Sequence, residues 1–244
     1  MIRLYQLSYS PWSERARWAL DHHRVAHETI EHLPMLGEAA LRIAAKKPVG
    51  KVSVPLLVDG DRAIFDSFEI ARYAEQVGNG EPLLPEASMA SINRWNQIAE
   101  QVADAGRSLI TDRMLTDKEA LAEALPPFVP AKARGHLAPI AILGTRFIQY
   151  KYGGTTAPRA RTAAREGLLE MREALRGGRR HLVGEQLTYA DIATASSLQF
   201  FKAVADVFMP IGAATRRAWL QSDIAEEFSD LIAWRDQLYA EHRR

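Results

Sequence analysis

Strand-length and helix-length patterns alternate along the first 45 residues. Residues 2–7 and 25–30 are each rich in apolar side chains over the length of one strand. Between them, Pro11 suits the first turn of a helix, and the apolar residues that follow it recur on one helical face. A strand, a helix and a strand in this order predict two parallel strands joined by a right-handed crossover. A less regular helical pattern follows at 33–45.

A hairpin and a further helix are predicted next. Residues 52–58 alternate apolar and polar side chains, which predicts a strand with one buried face. Asp59-Gly60 favours a tight turn because glycine accepts positive φ, and residues 63–65 supply the returning strand. A helix is predicted at 66–77, since an Asp-Ser pair opens it and an apolar stripe follows at helical spacing. The resulting order, β-α-β-α-β-β-α, is typical of a thioredoxin-like domain.

The pattern then changes to long amphipathic helices. The stretch G-N-G-E-P-L-L-P, which begins at Gly78, has the composition of a linker. We therefore predict an α/β domain at 1–78, a linker at 79–87 and an all-helical domain at 88–244. Helices of the second domain are predicted near 92–109, 131–150 with a kink at Pro139, 160–175, 189–207 and 224–239.

A capping pattern, L-T-Y-A-D-I, opens the predicted helix at 189–207. Thr188 can cap this helix, while Asp191, three residues later, can accept from the Thr188 amide. Leu187 and Ile192 occupy the positions of a hydrophobic staple. We interpret the pattern as structural rather than catalytic, and we predict a buried helix because apolar and small residues lie on all its sides.

Composition narrows the possible functions. The chain is 47% hydrophobic and 25% charged, as in ordinary globular proteins, and its net charge of +1 gives no electrostatic basis for binding nucleic acid or an acidic membrane. No apolar run approaches the length of a membrane span, and the first residues lack a secretory-signal pattern, so a cytoplasmic location is expected. The absence of cysteine excludes disulfides, cysteine nucleophiles and thiolate metal sites.

Two features suggest a site for an extended peptide. Pro55 cannot donate to a strand ladder, so it predicts an edge, a bulge or a cis turn that leaves the backbone of Val54 open for pairing. The helix start at Asp66-Ser67 offers N–H groups and the positive end of a dipole to a carboxylate. At the first strand–helix junction, Ser10 can cap the helix that begins at Pro11.

The segment V-P-L-L-V-D-G followed by D-S, together with L-T-Y-A-D-I-A, resembles the glutathione S-transferases, and the likeness extends over essentially the whole chain. The resemblance implies a thioredoxin-like N-terminal domain that binds glutathione and an all-α C-terminal domain that lines the electrophile pocket. It implies that Val54, before a cis Pro55, pairs with the cysteinyl backbone of glutathione. Asp66 and Ser67 are then expected to hold the γ-glutamyl end, and Lys51 is expected near the glycine end.

The resemblance also places thiol activation at the first strand–helix junction. Thioredoxin-like proteins carry their redox Cys-x-x-Cys there, whereas this chain has Ser10 and Ser13 at the two cysteine positions. We predict that Ser10 stabilises the thiolate of glutathione, with Ser13 and Tyr9 as the alternatives. Further residues that could border the electrophile pocket are Trp12, Trp95 and Arg107, although Trp95 is also expected in the core.

We therefore expect a transferase that adds the thiol of glutathione, its co-substrate, to a small apolar electrophile. The family resemblance implies a homodimer, which the sequence itself supports only through Phe65 and Phe68 near an expected surface. The alternative is a non-catalytic relative that binds a macromolecular partner, while a cysteine-dependent reductase is excluded because the chain has no cysteine. Four histidines between residues 22 and 32 straddle a helix end and a strand, so no metal site is predicted.

Overall fold

The N-terminal part of the chain is built around a small mixed sheet. The computed structural model describes residues 1–126 and 128–243. The sheet has the strand order β2-β1-β3-β4, in which β1 and β2 are parallel and the other pairs are antiparallel. The elements are β1 (Ile2–Gln6), α1 (Pro11–His22), β2 (His27–Glu31), α2 (Glu38–Ala44), β3 (Leu56–Asp59), β4 (Arg62–Phe65) and α3 (Ser67–Val77).

Strand β3 is buried on both faces, which corrects the prediction of a single buried face. Leu57 belongs to the main core with residues of α1 and α3, whereas Leu56 and Val58 pack in a second cluster with Leu41 of α2. Helices therefore cover both sides of the sheet. The strand also begins at Leu56 rather than at residue 52, because the preceding Pro55 has no N–H to donate to a ladder.

The C-terminal part is helical, so the predicted α/β-plus-all-α architecture is confirmed. Its longest helix, α4, packs against α8 and α9, and α9 also contacts α1 of the first domain. Single 3₁₀ turns occupy Glu86–Ser88 and Leu198–Phe200. The helices are α4 (Met89–Met114), α5 (Lys118–Glu123), α6 (Ala131–Arg134), α7 (Ala138–Tyr152), α8 (Ala157–Ala174), α9 (Tyr189–Ser197), α10 (Ala213–Trp219), α11 (Ser222–Glu227) and α12 (Ser229–His242).

Several of the predicted helix bounds are wrong. Pro139 does not kink one long helix but lies in the first turn of α7, where a missing N–H costs nothing. Helix α9 ends at Ser197 rather than near residue 207, and the Ser196 hydroxyl donates to the Ile192 carbonyl at 2.6 Å, a contact that competes with helix continuation. The last predicted helix is divided at Phe228 into α11 and α12. Helices α5 and α10 were not predicted.

The start of α9 is fixed by a buried carboxylate. Asp191 is fully buried and accepts hydrogen bonds from the amide of Thr188 at 2.9 Å and from the amide of Leu182 at 2.8 Å. The reciprocal cap predicted from the sequence is thus extended by a bond to the loop before it. This arrangement holds the first residue of α9, Tyr189, in one position between the two domains.

Replacement of two glycines that lie inside helices is expected to have opposite effects on stability. A Cβ at Gly167 of α8 would lie 2.4 Å from Cγ2 of Val102 on α4, whereas a Cβ at Gly144 of α7 would meet nothing within 4 Å. We expect Gly167→Ala to lower the free energy of unfolding by about 1–3 kcal/mol because the helices must separate. Gly144→Ala is expected to raise it by about 0.5–1 kcal/mol, since alanine favours the helix. Urea unfolding of both variants tests this pair, and equal shifts would contradict it.

Phe68 does not lie on a surface where a second subunit could meet it. Its side chain is buried, and its ring packs edge-on against Tyr189 with the centroids 5.0 Å apart. Phe65 is partly buried, and it packs against the second cluster, which contains Leu41 and Leu56. Of the two residues, only Phe65 keeps exposed surface, and the homodimer stays a prediction. Within the described residues, no helix combines the length and the apolar character needed to cross a membrane.

Candidate functional site

A cavity of about 830 Å³ lies between the two domains. Its walls come from the loop after β1, the segment before β3, the start of α3, and helices α4, α7 and α10. Ser13 and Trp95 are absent from its lining, whereas the other sequence-predicted site residues all contribute to it. Those residues are Tyr9, Ser10, Trp12, Lys51, Val54, Pro55, Asp66, Ser67 and Arg107.

Ser10 stands at the turn from β1 into α1. Its amide donates to the Leu7 carbonyl at 2.9 Å and its carbonyl accepts from the Glu14 amide at 2.9 Å, so its backbone is fixed. Its side chain makes no capping bond. In the described part of the chain, the amides of Trp12 and Ser13 also have no hydrogen-bond partner. A free hydroxyl beside the open start of a helix is suited to an anion such as a thiolate.

The two alternatives to Ser10 occupy different surroundings. Ser13 is fully buried, and its hydroxyl oxygen accepts from the Leu7 amide at 3.1 Å, which is a structural role. Tyr9 lines the cavity and packs edge-on against Trp219, with ring centroids 6.1 Å apart. Burial, and then the negative charge of Glu31, raise the pKa of Tyr9 well above its usual value. Its phenol can therefore serve as a hydrogen-bond donor and not as a base near neutral pH.

The backbone of Val54 is open, as the sequence predicts. The Val54–Pro55 peptide is cis, and Val54 lies outside the β1–β3 ladder. No backbone hydrogen bond between described residues involves it. The ammonium of Lys51, three residues earlier, lies 5.3 Å from the centre of the Tyr152 ring. An extended ligand could thus pair with Val54 and end beside Lys51 and Tyr152.

Fewer N–H groups are free at the start of α3 than the sequence predicts. One carboxylate oxygen of Asp66 accepts from the Phe68 amide at 2.8 Å and from the Glu69 amide at 3.4 Å, so two helix-start N–H groups are already used. The amide of Ser67 has no partner in the part of the chain that the structure describes. The second oxygen of Asp66 is also uncommitted there. This corner can hold one cation at Asp66 and one carboxylate at Ser67.

The sequence predicts Arg107 of α4 at the cavity but not the two acidic residues, Glu100 and Asp104, that the same helix brings there. The indole N–H of Trp12 donates to both oxygens of Glu100, at 2.7 and 2.9 Å, and the fully buried Arg15 forms an ion pair with the same carboxylate. Arg107 pairs with Asp104 at 2.7 Å and lies over the Trp12 ring, 4.9 Å from its centre. These α4 residues share one helical face, but the sequence does not show which element of the other domain faces them.

A second group that the sequence does not predict at the cavity is centred on His32, which contributes to the lining. The ring of His32 lies 3.5 Å from a carboxylate oxygen of Glu38, and Glu38 also pairs with Lys151 at the end of α7. Burial lowers the pKa of His32, so the ring is neutral near pH 7. His22 and His27 bond instead to separate backbone carbonyls. Among the described residues, no group of histidine and acidic side chains is placed to hold a metal ion.

The remaining wall of the cavity is mostly apolar, and its polar members are Thr111, Glu123, Thr145 and Thr215. The rings of Phe200 and Trp219 lie 5.5 Å apart, and the ring of Trp12 lies 5.9 Å from Phe200. A polar half, with Ser10 and the α3 start, therefore adjoins a mostly apolar half, a combination that is common in sites for small molecules. The apolar lining also includes Ile110, Met114, Leu125, Ile140, Ile148 and Ile211.

Comparison with known proteins agrees with the geometry. Residues 9–77 match the model of the glutathione S-transferase N-terminal domain, and residues 154–237 match that of the C-terminal domain. A probable glutathione S-transferase, BZ2 of Zea mays, is 41% identical over 85 residues, which are 32% of this chain and 35% of that protein. A probable glutathione S-transferase of Solanum tuberosum is 31% identical over 85 residues, 35% of this chain and 38% of that protein. Each match thus spans little more than a third of the relative.

Solved structures share the whole fold. A glutathione S-transferase of Methylobacillus flagellatus with glutathione bound has a TM-score of 0.64 at 18% identity, over 100% of this chain and 96% of that one. One of Methylobacterium radiotolerans in complex with glutathione sulfonate has a TM-score of 0.62 at 18% identity, over 98% and 91% of the two chains. The structures show the common architecture, and the two domain models together match well over half of the sequence. The chain therefore belongs to the glutathione S-transferase family.

Proposed function

We propose that this protein is a glutathione transferase in which Ser10 stabilises the thiolate of bound glutathione. The observation that carries the proposal is the convergence of three separate chain segments, at Ser10, at Lys51 with Val54-Pro55 and at Asp66-Ser67, on one cavity. Each segment offers a group that suits a different part of the tripeptide. Relatives with glutathione or glutathione sulfonate bound share the fold and support the choice of ligand.

The proposed binding mode assigns one partner to each end of glutathione. The open backbone of Val54 pairs with the cysteinyl residue as one strand pairs with another. The γ-glutamyl ammonium meets the uncommitted oxygen of Asp66, while its carboxylate accepts from the amide and the hydroxyl of Ser67. Lys51 faces the glycyl carboxylate. The sulfur then lies towards Ser10 and the start of α1.

The chemistry requires the protein to stabilise an anion and to orient two reactants. The thiol of glutathione loses its proton to solvent, and the Ser10 hydroxyl donates a hydrogen bond to the resulting thiolate. A hydrogen bond to a charged group is worth about 1.5–3 kcal/mol, which corresponds to a pKa lower by about one to two units. The sulfur then forms a bond to an electrophilic carbon in the apolar half, and a leaving group departs with its electron pair or the adduct takes a proton from water.

The proposal predicts both binding and turnover. We expect calorimetry to show saturable binding of glutathione, ultraviolet absorbance to show thiolate in the complex near neutral pH, and turnover with at least one halide, epoxide, peroxide or isomerisable acceptor. Binding without thiolate or turnover would instead indicate a non-catalytic relative that uses glutathione as a ligand. No heat of binding at millimolar glutathione would overturn the proposal.

A further inference from the structure

Tyr189 joins the helical domain to the start of α3. It is the first residue of α9, it is fully buried, and its hydroxyl lies 3.0 Å from the side-chain oxygen of Ser67, which is 3% exposed. Its ring packs on Phe68, and its amide donates to the carbonyl of Leu83 at 2.9 Å. Backbone, ring and hydroxyl are thus all held, and the hydroxyl reaches a residue that lines the cavity.

In the hydrogen bond between the Tyr189 and Ser67 hydroxyls, Tyr189 is the favoured donor. A serine hydroxyl has one hydrogen and two acceptor positions, and a phenol is the stronger donor of the two groups. Burial raises the pKa of Tyr189, so the phenol keeps its proton near neutral pH. When Tyr189 donates to the Ser67 oxygen, the serine hydrogen remains available. It has no acceptor in the described part of the chain.

We propose that Tyr189 is a positioning residue for glutathione, because its hydroxyl orients the Ser67 hydroxyl so that the serine hydrogen is donated to the γ-glutamyl carboxylate. The inference rests on the proposed function, since it takes glutathione as the ligand. It gives the capping pattern L-T-Y-A-D-I a second role: Asp191 fixes the start of α9, and this places Tyr189 against the glutathione site. A residue of the helical domain thereby contributes to binding in the α/β domain.

The test compares Tyr189→Phe, Ser67→Ala, the double variant and a matched control, Tyr239→Phe. Tyr239 is also buried, and it packs on Trp18 away from the cavity lining. Calorimetry measures affinity for glutathione and for an analogue in which the γ-glutamyl carboxylate is a carboxamide. We expect Tyr189→Phe to weaken glutathione about three- to tenfold, the effect of one oriented hydrogen bond. The same change should have no further effect in the Ser67→Ala background, and Tyr239→Phe should leave affinity unchanged.

Two further readouts separate positioning from a structural effect. The affinity ratio of glutathione to its carboxamide analogue, measured in one preparation of Tyr189→Phe, is independent of how much protein is folded, and we expect this ratio to fall. With an acceptor found for the wild type, KM for glutathione should rise while kcat stays constant. The inference is overturned by an unchanged ratio or by an equal loss of affinity in the Ser67→Ala background. If the wild type binds no glutathione, the proposed function fails first; if it binds and Tyr189→Phe binds equally well, only the positioning role fails.

Discussion

Replacement of Ser10 by alanine is expected to raise the thiol pKa of bound glutathione by about one to two units, because the thiolate loses a hydrogen bond worth about 1.5–3 kcal/mol. Affinity for glutathione should change little, since the neutral thiol gains little from the same hydroxyl. Activity in the wild type should rise with pH through the thiol pKa, and the variant's profile should shift to higher pH. Near neutral pH, kcat/KM is then expected to fall about ten- to a hundredfold.

The structure supplies the controls for this variant. The Ser10 side chain makes no capping bond, so alanine should leave the free energy of unfolding nearly unchanged. Ser13→Ala and Tyr9→Phe remove the two alternative hydroxyls, of which the first accepts from a backbone amide and the second lines the cavity. The thiolate absorbance of bound glutathione against pH compares all three variants with the wild type. If Ser10→Ala and wild type titrate together while another variant shifts, Ser10 is the wrong residue.

The sequence predicts the first domain well because its signals are local. The turn at Asp59-Gly60, the helix starts at Pro11 and Ser67, and the short apolar runs each depend on neighbouring residues. The errors arise where distant elements decide the outcome. Leu57 is buried because helices cover both faces of the sheet, and that arrangement is not contained in the alternation of residues 52–58.

Part of the candidate site could likewise be predicted from the sequence, and part could not. Ser10, Val54 and Asp66 belong to short motifs, and the structure brings them to one cavity. The contacts of Glu100 with Trp12 and of Tyr189 with Ser67 join residues 88 and 122 positions apart, and neither is marked by a motif for that contact. For Trp95 the sequence leaves the pocket and the core open as alternatives, and this side chain packs in the core. Contacts between the two domains therefore cannot be identified without the three-dimensional structure.

Replacement of Asp66 by asparagine is expected to weaken glutathione binding about ten- to a hundredfold, because a charged partner of the γ-glutamyl ammonium is lost at a cost of about 1.5–3 kcal/mol. Asparagine keeps an oxygen that can accept from the Phe68 and Glu69 amides, so the helix cap should survive. Asparagine also has the size and shape of aspartate, so it should fit the same backbone at this position. The free energy of unfolding should therefore stay close to that of the wild type.

Two more variants in the same assay distinguish the charge of Asp66 from its role as a helix cap. They are Asp66→Ala and Asp117→Asn. Alanine at position 66 should lower both the affinity and the free energy of unfolding, the latter by about 1 kcal/mol for the lost cap. Asp117 caps α5 through the Glu119 and Ala120 amides, both at 3.0 Å, outside the cavity, so its asparagine variant should bind glutathione normally. Calorimetry and urea unfolding measure the two quantities. If Asp66→Asn binds glutathione as tightly as the wild type, Asp66 acts only as a helix cap, and the ammonium must find its partner elsewhere in the cavity.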